Sequence, residues 1–388
     1  MADVVTATSS FAAAYDGARV VVTGHTGFKG AWLSLWLHRL GASVVGLSTE
    51  PPTEPSLHEA SRLDELVEWC RGDVTDADYV RKVIDAHRPD VVFHLAAQPI
   101  VLASYADPLS TFATNVMGTA NVLDAVRRTG TTRATVVVTT DKCYETNPTS
   151  PAHRESDRLG GEDPYSASKA CAELVTRAFR SSFDLPEVGQ GVATVRAGNI
   201  IGGGDWAADR IIPDCARALE SGAGVRLRHP EAVRPWQHVV DALAGYLALG
   251  ARLLERPDAY SEAWNFGPDP AQPYTVAQAA EVFADASAEG GTALSTSTRR
   301  LQIERVAATT PFEQPTLRLD PDKAAGRLGW HPLLDFTTTI EWAASWYRDH
   351  ASDPNFDARA ATLSQIAEYG RLAAEADVWW APAMEHVG

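Results

Sequence analysis

The run Arg19-Val20-Val21-Val22-Thr23 leads directly into Gly24-His25-Thr26-Gly27-Phe28-Lys29-Gly30, and then into Ala31-Trp32-Leu33-Ser34-Leu35-Trp36-Leu37. A β-branched apolar run without polar alternation reads as a strand buried on both faces. Regularly spaced glycines then turn the chain, and an apolar helical stretch starts at once. Such a unit belongs in a parallel sheet covered by helices. The spacing is G-x-x-G-x-x-G and not the G-x-x-x-x-G-K-[ST] of a nucleoside-triphosphate loop. Glycines here allow a tight turn, close strand–helix packing and backbone approach to a pyrophosphate. The helix N-terminus adds unpaired N–H groups and the positive end of its dipole. Gly24, Thr26, Gly27, Phe28 and Gly30 are therefore candidate contacts to a dinucleotide.

The same rhythm repeats downstream. Strands are expected at 43–47, 90–95 and 134–139, and helices at 115–128 and 166–183, which is the alternation of an α/β Rossmann-type, doubly wound parallel sheet. Beyond about Gly198 the alternation loosens, and Pro213, Pro230 and Pro235 punctuate shorter elements. The reading is a loose tail over 1–17 and a dinucleotide-binding domain over 18–198. A smaller, mainly substrate-binding lobe follows over 199–350, and a C-terminal helix and tail over 351–388. A helix and strand near 236–267 are expected to return to the main sheet. Trp379-Trp380 reads first as a packing anchor and second as an oligomer contact.

Composition narrows the function. The 388 residues carry 34 Lys and Arg against 50 Asp and Glu, a net charge of −16. That balance repels phosphate backbones and argues against nucleic-acid binding, although a local cationic pocket could still take a phosphorylated small molecule. No apolar run approaches the roughly 20 residues that span a bilayer, and the N-terminus lacks a basic-then-apolar leader. Four cysteines without C-x-x-C pairing suit a reducing cytoplasm. Eleven histidines are scattered without ligand spacing, so no metal site is expected.

A nicotinamide cofactor with a free ribose usually meets an acid at the end of the second strand. That place reads Gly46-Leu47-Ser48-Thr49-Glu50. Glu50 could serve or be a solvated loop charge, and no arginine stands there for a 2′-phosphate, which favours NAD over NADP. Asp73 and Val74, after a short third strand, could meet the adenine, or Asp73 could simply end a turn. Ala96, Ala97 and Gln98 close the fourth strand with small residues that leave room for a cofactor. Further on, Thr140 ends a hydrophobic strand, and Tyr165 and Lys169 lie one turn apart on one helix face. A cation beside a phenol favours phenolate and a general base, so Lys169 is expected to lower the Tyr165 pKa, or to hold a ribose hydroxyl.

Taken together, these residues resemble the extended short-chain dehydrogenase/reductase family. Longer strings are similar to CDP-glucose 4,6-dehydratases: Gly24 to Gly30, Asn115-Val116-Met117-Gly118-Thr119, Thr140-Asp141-Lys142-Cys143-Tyr144, Val195 to Asn199, Gly202 to Trp206, Arg234 to Val239 and Leu328 to Pro332. The resemblance implies bound NAD, with Asn115 in its site, and an internal redox cycle. Tyr165 removes the 4-hydroxyl proton as hydride leaves C4, Asp141 protonates the departing 6-hydroxyl, and hydride returns to C6. Related dehydratases place Glu where Lys142 stands, so Lys142 is expected either to take the C5 proton as an amine or to stabilise the enolate as an ammonium. Asn199 and Arg234, with Arg210 and His238 as weaker candidates, are carried over as contacts to a nucleotide-diphosphate sugar, a CDP-sugar being favoured. A homodimer or dimer of dimers is the family expectation.

Several positions depart from the family pattern, namely Leu102, the stretch 147–153, His229, Glu231 and Phe312. They leave the exact sugar open. The alternatives are a 4-epimerase or decarboxylase of the same fold, which needs no elimination acid, and a dinucleotide-binding sensor, which needs no activated phenol.

Overall fold

A computed structural model describes residues 11–146, 152–288, 301–306 and 314–381. Seven strands build one parallel sheet: β1 (Arg19–Thr23), β2 (Ser43–Ser48), β3 (Glu68–Arg71), β4 (Val91–His94), β5 (Ala134–Val138), β6 (Gly191–Ala197) and β7 (Ala263–Phe266). Their order is β7-β6-β5-β4-β1-β2-β3. The chain runs outward from β1 to β3, then crosses back to lay β4 on the other side of β1. At that reversal the connections leave in opposite directions and open a crevice at the carboxyl ends of the strands. The glycine turn follows β1 and Ala96-Ala97 follows β4, so both sit at the crevice.

The main helices are α1 (Phe11–Tyr15), α2 (Phe28–Arg39), α3 (Ala77–His87), α4 (Gly118–Thr129), α5 (Pro164–Ser182), α6 (Ile211–Ser221), α7 (Val239–Glu255), α8 (Val276–Ala288), α9 (Phe336–Ser352) and α10 (Ala358–Glu375), with shorter helical segments such as Val101–Ala106 and Pro108–Phe112 between them. Alternate residues of each strand serve opposite faces. Val20 and Val22 of β1 join one core with Trp32 and Leu35 of α2 and Leu243 and Leu247 of α7. Val21 joins the other with Val80 and Ile84 of α3 and Val122 and Val126 of α4. This two-sided burial explains why β1 shows no polar alternation. Helix α7 buries 14 of its 17 residues, as an all-round apolar helix must. It packs on β5 and β6, and β7 then pairs with β6. Helix α7 and strand β7 thus belong to the main sheet, while Gln237–His238 just before them do not.

The remaining lobe is built from α6, α8 and α9 with three short strand pairs. One of them joins Ile200–Ile201 to Gln237–His238, directly after β6.

Residues 11–17 are not the loose tail that their composition suggests. Phe11 and Tyr15 are buried, and the Tyr15 hydroxyl donates to the Leu247 carbonyl at 2.8 Å. The composition misleads because two aromatic residues, spaced one helical turn apart, carry the buried packing of 11–17, while 1–10 lie outside the described residues. Phe11 stacks on Trp380 with ring centroids 5.6 Å apart, and Trp380 stacks on Tyr369 of α10 at 5.8 Å. Trp379 packs under Arg252 at 3.6 Å and donates to the Leu328 carbonyl. The tryptophan pair is a packing anchor that fastens both ends of the chain to α7 and α10. Trp380→Ala should therefore cost about 3–5 kcal/mol of stability, the range for a buried aromatic truncated to alanine. Urea unfolding followed by circular dichroism measures it, and Trp379→Ala, only half-buried, should cost less.

Candidate active site

The glycine turn is fixed by backbone contacts. Gly24 has φ +74° and donates its N–H to the Leu47 carbonyl at 2.9 Å. A Cβ on Gly30 would lie 2.1 Å from the Gly24 carbonyl oxygen, so α2 can start this close only with glycine there. Thr26 donates its hydroxyl to the Thr49 carbonyl at 3.2 Å and so ties the turn to the end of β2. The N-cap of α2 is Gly27, which offers no side-chain cap. The first N–H groups of a 12-residue helix thus lack a side-chain partner, the arrangement that suits an anion. Phe28 lines the neighbouring cavity, with its ring close to Gly202.

Around this turn the sequence expectations separate. Val74 is buried beneath Gly118, where a Cβ would come within 2.6 Å of its methyl. Asp73 is exposed and accepts the Thr75 N–H at 2.8 Å, so it closes a turn after β3. The Ala96 N–H donates to the Thr23 hydroxyl at 3.2 Å, and Ala97 follows it out of β4. Asn115 has its amide spent on protein: it accepts the Gln98 N–H at 2.8 Å and donates to the Gln98 carbonyl and the Ser168 hydroxyl. Ser168 in turn donates to the Tyr165 carbonyl at 2.7 Å. Asn115 therefore positions the active-site helix against β4. An arginine does stand at the end of β2: Arg71, from the adjacent β3, pairs with Glu50 at 3.1 Å. Linear order concealed it, because β3 is a spatial neighbour 21 residues away.

Thr140, Asp141, Lys142 and Tyr165 line one cavity of about 440 Å³, together with Lys29, Asn199, Arg210 and Arg234. The volume suits a small-molecule ligand. Leu102 and His229, two of the departures from the family pattern, line it as well. Glu231 instead pairs with Arg305 at the surface, and 147–151 and Phe312 fall outside the described residues. Thr140 donates its hydroxyl to Asp141 Oδ1 at 3.0 Å, while Asp141 Oδ2 is buried without a partner. Burial pushes the Asp141 carboxyl above its usual range, against the pull of Lys142, Thr140 and Arg234.

The expected lowering of the Tyr165 pKa by Lys169 is not what the geometry gives. Burial pushes the phenol up to about 12, with Thr140 and Arg210 opposing. Lys169 donates to the Val138 carbonyl at 3.0 Å, and burial together with the nearby Lys29 charge brings its own pKa down to about 7. His238 is displaced from its expected role too. It is fully buried, caps α7 by accepting the Val240 N–H, and sits edge-on to Trp32 and Trp342, outside the cavity. Arg210 lines the cavity with Nη1 held by Asp205 at 2.8 Å. Glu68, Cys70 and His87 come together at the sheet edge, away from this cavity, with Cys70 Sγ 3.5 Å from His87 Nε2.

Two features escape a linear reading. Lys29, inside the glycine turn, is one. The other is a buried ion pair behind the site, Arg196 of β6 with Glu173 of α5 at 2.7 Å. Glu173 also accepts from Thr139 at 2.5 Å and from Thr194 at 2.7 Å. Arg196 donates to the Tyr144 hydroxyl at 2.9 Å, and Tyr144 donates to Asn265 of β7 at 2.6 Å. The spacing Lys169 to Glu173, one helical turn, was the only available hint.

A profile of the GDP-mannose 4,6 dehydratase family matches residues 21–342. A CDP-glucose 4,6-dehydratase of Salmonella typhimurium is 44% identical over 342 residues, covering 86% of this chain and 92% of that protein. The chain belongs to this family. Among solved structures, UDP-glucose 4-epimerase of Thermotoga maritima superposes with TM-score 0.72 at 20% identity, covering 86% of this chain and 99% of that one. A dTDP-glucose 4,6-dehydratase of Streptomyces venezuelae, solved with NAD bound, gives 0.68 at 24% identity, covering 85% and 97%.

In this family member the ion pair can be tested directly. Burial alone would raise the Glu173 carboxyl, but Arg196 and three hydrogen bonds hold it below its usual range. Its folded pKa is depressed, so it contributes stability above the unfolded carboxylate pKa, lost as pH falls through the folded value. Glu173→Gln leaves Arg196 buried without its counter-charge and should cost about 3–5 kcal/mol at neutral pH. Denaturant unfolding measured down an acid series should show the gap between the two proteins narrowing as pH falls.

Proposed function

We propose that this chain is an NAD-dependent hydro-lyase that converts CDP-glucose, or a related CDP-sugar, to the 4-keto-6-deoxy sugar. One observation carries the reading: Asp141 presents a buried carboxyl with a raised pKa and an unpartnered oxygen, in the cavity that holds Thr140 and Tyr165. Elimination of a hydroxyl needs a group that keeps its proton near neutral pH. An epimerase has no use for one. The 44% identity to the Salmonella protein supports the cytidine nucleotide.

The glycine turn and the uncapped start of α2 fit a dinucleotide diphosphate. Bound NAD would supply a hydride acceptor for C4 and a donor for C6. The chain itself handles the protons. Tyr165 takes the 4-hydroxyl proton, with Thr140 holding the hydroxyl in line. Its elevated pKa requires positive charge in the loaded site, and Arg210 is the protein cation placed to contribute. Once C4 is a ketone, C5–H becomes acidic. Lys142, next on the turn, meets that side by taking the proton as an amine or holding the enolate as an ammonium. Asp141 then protonates the leaving 6-hydroxyl. Asn199, Arg210 and Arg234 are left for the sugar nucleotide.

Incubation with CDP-glucose should give a product lighter by one water in the mass spectrum, with dTDP-, GDP- and UDP-glucose run in parallel. Water loss from a different donor would move the nucleotide assignment. A product of unchanged mass but inverted C4 would overturn the dehydratase reading. Asp141→Asn should lower turnover about 10²–10⁴-fold and let reduced cofactor accumulate, visible in its near-ultraviolet absorbance, because oxidation at C4 precedes the blocked step.

We further propose a homodimer, or a dimer of dimers, in the cytoplasm as part of a deoxysugar biosynthetic route. Leu109 is 81% exposed and Met117 55%, and with Tyr105 they lie on helical segments packed against α5, which carries the exposed Leu174. Exposed apolar residues grouped in this way favour a partner surface. All four cysteines are free, which suits a reducing compartment. No described helix is long and apolar enough to cross a membrane. Leu109→Asp combined with Met117→Asp should halve the particle mass in light scattering, and an unchanged mass would move the interface elsewhere.

A further inference from the structure

Lys29 is the second residue of α2 and the cation of the glycine turn. Of that turn only Phe28 and Lys29 reach the cavity; Gly24, Thr26 and Gly27 do not line it. The Lys29 side chain is surrounded by protein but keeps part of its surface on the cavity, and no hydrogen bond to a described residue satisfies its ammonium.

The charges around it come from several elements. Asp141 faces it from the turn after β5, Asp205 and Arg210 from the loop before α6, and Lys169 from α5. Neither acid hydrogen-bonds Lys29: Asp205 holds Arg210 at 2.8 Å, and Asp141 accepts from Thr140 through one of its oxygens. Arg210, coming from the substrate lobe, repels Lys29, which comes from the cofactor turn. Burial and that repulsion bring Lys29 down to about 8, with Asp141 and Asp205 opposing. Two cations brought together in a protein-lined cavity are costly unless an anion lies between them.

We infer that Lys29 and Arg210 form a two-cation clamp on the phosphoryl group of the substrate diphosphate that lies nearest the sugar. The inference rests on the nucleotide-sugar reading above and extends it to a residue of the cofactor turn. Backbone N–H groups at the start of α2 would hold the cofactor's own diphosphate, which leaves the Lys29 side chain for the second ligand. A guanidinium fork grips such a group in two places, and an ammonium adds a point charge. Joining the two walls through one phosphoryl group would also couple substrate binding to the closeness of the two lobes.

The sign of the pH dependence follows. Lys29 carries its charge below about 8, so anion affinity is full there and falls as pH rises through that value. A bound phosphoryl group pulls the proton back on, so binding above that pH takes up a proton.

The test is calorimetric titration of NAD-loaded protein with CDP and with CMP, which lacks the second phosphoryl group, on both sides of pH 8. The wild type should prefer CDP, and the preference should shrink at alkaline pH with proton uptake. Lys29→Met should weaken CDP roughly 10- to 100-fold, the loss expected for a charged hydrogen bond, leave CMP unchanged and remove the pH dependence. Lys29→Arg should keep the preference and move its alkaline loss beyond the titrated range. Unchanged CDP affinity in Lys29→Met would overturn the clamp. So would loss of bound NAD with CDP affinity retained, which would assign Lys29 to the cofactor. Lysine-dependent CDP binding without water loss from CDP-glucose would leave the clamp standing and remove the dehydratase reading instead.

Discussion

The residues of the candidate active site are held in register by one buried ion pair. Glu173 sits on α5 one turn beyond Lys169 and two beyond Tyr165, and accepts from Thr139 at the end of β5 and from Thr194 and Arg196 in β6. Arg196 reaches across to Tyr144, at the far end of the turn that carries Asp141 and Lys142. The helix with Tyr165, the strand end with Thr140 and the turn with Asp141 are thus fastened to the same two side chains. Asn115 makes a second tie, joining the end of β4 to α5 through Ser168. Hydrophobic contacts hold the sheet and helices together but resist sliding poorly. Hydrogen bonds to buried charges are directional and short, so they fix where along β5 and β6 the helix comes to rest.

Such a pair is not the cheapest way to fill a core. Apolar side chains of similar volume are often as stabilising, because two desolvated ions regain little more than they lose. Here the carboxylate oxygens are occupied by three donors, while Arg196 Nε is left without a hydrogen bond. The pair makes better sense as a device for position. Proton transfers need their partners within hydrogen-bond reach, and a small slide of α5 would take Tyr165 out of it.

How much of this could be read from the linear sequence follows the range of the interactions. β1, α2, β5, α5, α7 and α10 arise from local patterning, and their spans follow the apolar runs closely. The turn at Gly24 to Gly30 and the cavity at Thr140, Asp141, Lys142 and Tyr165 were legible because each is a compact motif on one element. What needs the fold is long-range. Arg196 and Glu173 are 23 residues apart, and Arg71 meets Glu50 across two strands. His238 looks like a ligand in a loop-rich stretch, yet two tryptophans from distant helices enclose it. Tyr165 and Lys169 show a subtler limit. Their spacing on the helix was right, but the electrostatic inference from it was incomplete, because burial acts on both groups and each finds another partner.

Two carboxyl groups in the same region make the last point. Asp141 and Glu173 are both fully enclosed, and burial pushes each towards the neutral form. Glu173 has a guanidinium and two hydroxyls donating to it, and these outweigh the desolvation. Asp141 has one hydroxyl, one oxygen with no donor, and cations that act only through space, so desolvation wins. The difference therefore lies in the count of directed donors rather than in depth. It is also the difference the proposed chemistry requires: a group that fixes geometry must stay ionised, whereas one that delivers a proton must hold it until a hydroxyl arrives. A single added donor at Asp141 Oδ2 would move it towards the Glu173 case. The bare oxygen is thus as much a part of the site as the side chains that surround it.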